Sequence, residues 1–125
     1  MSLNIKGTDR TPEVILTFDP LFLKISGESF PEDVAHFYGE IISTINALST
    51  ERSGSLSVEI ELIYINSSSI KALYRIFEGL DNYRKKDNHV KITWKSSEDD
   101  DIMQELGDDF IDRFPELEII LEKND

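Results

Sequence analysis

With 125 residues, 39% of them hydrophobic and seven of them Phe, the chain is the size of one domain, residues 1–125, that buries a core without help from disulfides or metal. A formal net charge of -12 disfavours nucleic acid and anionic membrane surfaces, whose phosphates repel it, and favours a partner with a basic face. The lack of cysteine excludes disulfides, thiol catalysis and cysteine-ligated metal, and the want of an apolar run as long as a signal peptide or membrane span points to the cytoplasm.

The chain opens with Leu3-Asn4-Ile5 and the turn-rich Gly7-Thr8-Asp9-Arg10-Thr11-Pro12. Val14, Leu16 and Phe18 then alternate in one arm of a hairpin, and Phe22, Lys24 and Ser26 alternate with Leu21, Leu23 and Ile25 in the other. Gly27-Glu28-Ser29-Phe30-Pro31 breaks the second arm, with Ser29 as a cap for a first helix from about Glu32 to Leu48. Val34, Phe37, Tyr38, Ile41, Ile45 and Leu48 form its buried stripe.

After a polar loop, Val58, Ile60, Leu62 and Tyr64 alternate with Glu59, Glu61, Ile63 and Ile65 as a middle strand. The period changes at Asn66 to Ser69, and Ile70, Leu73, Phe77 and Leu80 carry a second helix to about Lys86. A strand follows over His89–Lys95, then a third helix from about Asp99 to Arg113 presenting Ile102, Leu106 and Phe110, then a last strand over Leu117–Leu121. This order predicts an α/β domain: a mixed, mostly parallel sheet of about five strands, an N-terminal hairpin followed by βαβαβ units, with three main helices. Glu59 and Glu61 in a middle strand predict that part of one sheet face is wet and that the helices are unevenly distributed.

The junction at Asn66-Ser67-Ser68-Ser69 is the place where chemistry is expected. A chain with 25 Asp and Glu has none from Leu62 to Phe77, although acids favour the first turn of a helix and stand at the other two helix starts. An uncompensated helix N-terminus suits an anion, either a bound ligand or a phosphate attached to a serine, with Lys71 close by in sequence. The ordinary alternative is a capped helix start and a solvated lysine.

Other constellations are weaker. Glu98-Asp99-Asp100-Asp101 with Glu105, Asp108 and Asp109 lacks the ligand spacing and glycine of a calcium loop and reads as surface or partner contact, so no metal is expected. His36 and His89 have no nucleophile pattern beside them, and Glu59 and Glu61 read as half-exposed strand charges rather than an acid/base pair. No catalytic residue and no cofactor are expected.

The junction is similar to the Asp-Ser-Ser-Gly turn of the STAS domains, the SpoIIAA-like anti-sigma-factor antagonists. The chain more closely resembles the SiaC family of regulatory phosphoproteins through Gly7-Thr8-x-x-Thr11-Pro12, Gly27-Glu28-Ser29-Phe30-Pro31-Glu32, Tyr64-Ile65-Asn66-Ser67-Ser68-Ser69-Ile70-Lys71, and the tail Trp94…Asp99-Asp100-Asp101…Glu105-x-Gly107-Asp108-Asp109-Phe110. The resemblance implies a SpoIIAA/STAS-like fold and partner switching in a bacterium. A protein kinase phosphorylates Ser67, a phosphatase reverses it, and binding to a diguanylate cyclase, or to an anti-sigma kinase as in STAS relatives, depends on that state. Asn66, Ser68, Ser69 and Lys71 would form the surroundings of the phosphosite, and Glu28, Ser29, Phe30 and Trp94 a partner surface. The rival expectation is a small-anion binding domain or enzyme that uses the same helix end.

Overall fold

Six strands pair in strictly sequential order, β1 (Leu3–Ile5), β2 (Glu13–Phe18), β3 (Leu21–Ser29), β4 (Leu56–Ile65), β5 (Val90–Ser97) and β6 (Glu118–Asn124), in a computed structural model that describes residues 2–124. β1, β2 and β3 are antiparallel; β3 to β6 are parallel and joined by α1 (Val34–Glu51), α2 (Ser67–Arg84) and α3 (Asp101–Arg113). The strand beyond the expected five is Leu3-Asn4-Ile5. Three residues are too few to display a period, but Leu3 pairs with Leu16 and is buried.

Each parallel connection steps one place in the same direction across the sheet. Right-handed crossovers that all step one way leave their helices on the same side. That face carries Leu23, Ile25, Val58, Ile60, Leu62, Ile92 and Trp94, all buried. The opposite face carries Lys24, Glu13, Glu59 and Lys95, which pair across strands at 3.7 Å (Lys24–Glu13) and 3.0 Å (Lys95–Glu59). The wet face read from Glu59 and Glu61 is therefore a whole uncovered layer.

Aromatic rings fill the space between sheet and helices at the β5 end. Phe77 of α2 stacks on Phe110 of α3 with centroids 4.1 Å apart, and Trp94 meets Phe110 at 5.4 Å. Gly107 lets α3 come down on Trp94: a Cβ there would lie 2.8 Å from Trp94 Cδ1. The Trp94 indole N–H donates to the Met103 carbonyl at 3.0 Å, which satisfies the one polar group of a buried ring.

Three local expectations are corrected. β3 runs on to Ser29, and α1 is capped instead by Asp33, whose carboxylate accepts from His36 N at 3.0 Å and is better suited to a positive helix end. Where β4 pairs with β3 the register slips: Gly27 faces Leu62 and the next residue, Glu28, faces Tyr64, so that Ile63 of β4 has no opposite number. This bulge breaks the alternation, and Tyr64 is exposed where the period placed it inside. In α3 the buried stripe is Met103, Leu106, Gly107 and Phe110, leaving Ile102 in solvent.

Candidate functional site at the start of the second central helix

β4 ends at Ile65 and α2 begins at Ser67, so the turn between them is Asn66 alone. Its backbone is extended, its side-chain oxygen accepts from Ser69 N at 2.9 Å, and its carbonyl accepts from Ile70 N at 3.0 Å. Its own N–H donates to the Ser29 carbonyl at 3.0 Å and ties the turn to the end of β3. Ser67 and Ser68 are thereby the first two helical residues. Both are exposed, on the turn where helix geometry leaves backbone N–H groups pointing outward.

The electrostatics of this end differ from those of its neighbours. α1 and α3 are capped by the carboxylates of Asp33 and Asp100, the latter accepting from Met103 N at 3.0 Å. α2 is capped by the neutral amide of Asn66 and has no acid in its first turn. The positive end of the α2 dipole is therefore not neutralised by a side chain of its own cap or first turn. Lys71 and Arg75 stand on the following turns, both exposed, and among the described residues neither enters an ion pair. With Ser68, Tyr38, Gly39 and Ile42 they line a groove of about 300 Å³ between α1 and α2.

Beneath the exposed serines lies a buried hydroxyl cluster. The Tyr38 phenol and the Ser29 hydroxyl are hydrogen-bonded at 2.5 Å, joining α1 to β3. Ser69 is wholly buried; its Oγ finds no aligned partner, although it lies close enough to the Tyr38 oxygen to favour ionisation there. Burial nevertheless dominates and pushes the Tyr38 phenol above its ordinary value, against the opposing effect of the Ser29 and Ser69 hydroxyls.

Motifs far apart in sequence converge on this turn. Thr8 Oγ1 accepts from Arg10 N at 3.1 Å and from Thr11 N at 3.0 Å, folding the Gly7–Pro12 loop on itself. The Arg10 carbonyl then accepts from Phe30 N at 2.8 Å. Gly27, at φ +121°, passes close to Pro12, whose Cα would lie 3.5 Å from a Cβ. The Phe30 ring meets Tyr64 edge-on at 5.6 Å.

The structure thus places Asn66, Ser67, Ser68, Ser69 and Lys71 together, with only Ser69 out of reach of solvent. Glu28 and Phe30 are half-buried beside the turn. Ser29 and Trp94, expected on a partner surface, are both buried, and that part of the expectation is corrected: Ser29 holds Tyr38 and Asn66, and Trp94 seats α3. Glu59 is paired with Lys95, and Glu61 accepts from Asn124 Nδ2 at 3.0 Å, so the two do not act as an acid/base pair in a cleft. Among the described residues no group of His, Asp and Glu is disposed to hold a metal ion. No helix among them is long and apolar enough to cross a membrane.

Tyr38, Ile63 and Ile102, read from sequence only as helix-stripe or strand residues, and Arg75 were not singled out for function. Two of them had a signal. A tyrosine in an otherwise apolar stripe needs a buried partner for its hydroxyl, and Arg75 follows Lys71 by one helical turn inside the acid-free stretch.

The family model of the SiaC family regulatory phosphoproteins matches residues 5–124. An uncharacterized protein of Pseudomonas aeruginosa (strain UCBPP-PA14) is 27% identical over 108 residues, 86% of this chain and 86% of the relative. Among solved structures, a chain in the crystal structure of the diguanylate cyclase SiaD in complex with its activator SiaC from Pseudomonas aeruginosa superposes with a TM-score of 0.91 at 24% identity, covering 98% of this chain and 99% of that one. The crystal structure of apo-SiaC from the same organism gives 0.86 at 24% identity, covering 98% of each. At that identity the two structures speak for the fold.

Proposed function

We propose, because the chain belongs to the SiaC family of regulatory phosphoproteins, that it is a non-enzymatic cytoplasmic switch whose phosphorylated residue is Ser67. The observation that carries the reading is the exposed Ser67 hydroxyl on the first residue of a helix capped by an uncharged amide. A protein kinase transfers a phosphoryl group from a nucleoside triphosphate to Ser67 Oγ, which loses its proton as the diphosphate leaves. A phosphatase returns the hydroxyl by hydrolysis.

The phosphate adds about -1.5 to -2 charges at a position where the dipole favours them by ~0.3–1 kcal/mol, so the fold tolerates the change. What it alters is the surface offered to a partner. Apolar or acidic groups docked over Ser67 would have to desolvate or repel the new charge, so the unmodified chain is the binding form. The partner is a regulatory protein of the diguanylate cyclase kind, the class that the SiaC relative activates, or of the anti-sigma kinase kind.

Intact mass of the chain purified from its native host, followed by peptide mapping, tests this directly. The expected result is one phosphate on the peptide containing Ser67. A chain carrying phosphate elsewhere, or none under any growth condition, removes Ser67 from the switch. A second reading draws on the groove beside Ser68, where Lys71 and Arg75 could hold a free phosphorylated ligand. A thermal-shift screen against nucleotides and phosphorylated metabolites would favour it.

A further inference from the structure

Four large apolar side chains are conspicuously exposed among the described residues: Ile63 (71%), Tyr64 (50%), Ile102 (77%) and Ile120 (41%). Scattered apolar side chains are ordinary on a protein surface, but three of these four line a single groove. That groove, about 120 Å³, is completed by Ile65, Asp100 and Met103. It shares Ile63 and Asp100 with a second of about 140 Å³ that reaches Glu61 and Asn124.

Two features put these side chains outside. The β4 bulge turns Ile63 and Tyr64 away from the core, and the α3 stripe excludes Ile102. Burying these three side chains would be favourable, and nothing in the described part of the chain covers them.

The charged side chains that line the groove and its extension are of one sign, with Lys95 beyond them near Glu61. Asp100 lies in the groove, Asp99 and Asp101 flank it in sequence, and Glu61 stands in its extension, while no Lys or Arg lines either part. A second copy of the chain would bring acids against acids, and an anionic lipid surface would be repelled. A helix with an apolar stripe flanked by Lys or Arg satisfies both the apolar floor and the acidic border.

We infer that Ile63, Tyr64 and Ile102 form the docking surface for a basic amphipathic helix of a partner protein. The inference rests on the reading of this chain as a binding protein and deepens it, naming the side of the turn that is read and the chemistry of what reads it. Ile65 and Asn66 lead from the groove directly into Ser67. A phosphate there weakens such a partner only where it meets the apolar stripe of the helix, which must then desolvate it, because the basic flank would attract it.

The test uses the full chain, labelled with nitrogen-15, titrated with a Leu/Lys amphipathic peptide of about five helical turns and with its Leu/Glu counterpart. Amide shifts are expected to gather at Ile63–Ile65 and Asp100–Met103 with the Leu/Lys peptide, weakening as salt rises from about 0.05 M to about 0.5 M. The Leu/Glu peptide is expected not to bind. The pair Ile63→Lys and Ile102→Lys, both at exposed positions, should lower affinity by about tenfold or more at an unchanged melting temperature. Shifts centred on the uncovered sheet face or on the Lys71–Arg75 groove, equal binding of both peptides, or full affinity in the double variant would each overturn the assignment. Ser67→Asp is titrated in parallel. Unchanged or tighter peptide binding there retires the Ser67 switch while leaving the surface standing, so the two ideas fail separately.

Discussion

Asn66 caps the helix that begins at Ser67 without charging it: its amide oxygen takes the Ser69 N–H at 2.9 Å, where Asp33 and Asp100 do the same for the other two helices with a carboxylate. The cap and the charge are thus separable. Asn66→Ala should cost ~0.5–2 kcal/mol of stability, measured by chemical denaturation, because the Ser69 N–H loses its partner. Asn66→Asp should stabilise by ~0.3–1 kcal/mol at low ionic strength while slowing phosphorylation, since a carboxylate then occupies the field that a phosphate would use. An Asn66→Asp chain phosphorylated as fast as the parent would show that the neutral cap has no part in the chemistry.

Ser67→Asp should melt within about 1 kcal/mol of the parent, because an acid at the first helical position is favoured by the dipole. It should lose partner binding in co-purification, and Ser67→Ala should retain it constitutively. Loss of the fold in Ser67→Asp would mean that modification acts on stability and not on an interface. Lys71 follows Ser67 by one turn, so Lys71→Ala together with Arg75→Ala should shrink the melting difference between phosphorylated and unphosphorylated chain, with little effect on the unphosphorylated one.

The strand-to-helix junction was legible in the sequence because two periods meet there and acids stop. The alternation of Val58, Ile60 and Leu62 and the spacing of Leu73, Phe77 and Leu80 each record one buried face, and the face is what folding enforces. What was not legible depends on pairing. The bulge that exposes Tyr64 arises from how β4 lies against β3, and nothing in β4 alone announces it. Ser29 and Trp94 misled because a marker of a family is read as surface when it can equally be scaffold: Ser29 anchors Tyr38, and Trp94 sits under Gly107. Ile102 misled differently, since a helical stripe through Leu106 admits the residue four before it, Ile102, as well as the one three before it, Met103, and only the seating of α3 decides between them.

The Gly107–Trp94 contact offers a test of the scaffold that leaves the junction untouched. A Cβ at position 107 would meet Leu121 Cδ2 at 2.7 Å and Trp94 Cδ1 at 2.8 Å, so α3 must lift or the indole must turn. Gly107→Ala should therefore destabilise by ~1–3 kcal/mol despite the better helix propensity of alanine, and Trp94→Ala by ~3–5 kcal/mol. Both are read from denaturation midpoints. A stabilised Gly107→Ala chain would mean that α3 is not seated on Trp94 as described.

Tyr38 links stability to pH in a way that reports on the buried hydroxyl cluster. Burial raises its folded value above the usual one, which disfavours the phenolate in the native state, whereas the unfolded phenol ionises near the usual tyrosine value of about 10. A group raised on folding contributes its full stability below the unfolded value and loses it as pH climbs through the folded one, so the chain should weaken on the alkaline side. Tyr83, raised by burial, and Lys95, raised chiefly by its hydrogen bond to Glu59, act in the same direction and steepen the same limb. Tyr38→Phe separates them. At neutral pH it should cost ~1–3 kcal/mol, because the Ser29 hydroxyl is left buried without its partner. Between about pH 9 and pH 11 its stability should fall less steeply than that of the parent, since one ionisation that opposes the fold has been removed. Parallel denaturation curves for parent and variant across that range would place the Tyr38 phenol in contact with solvent and separate it from Ser29.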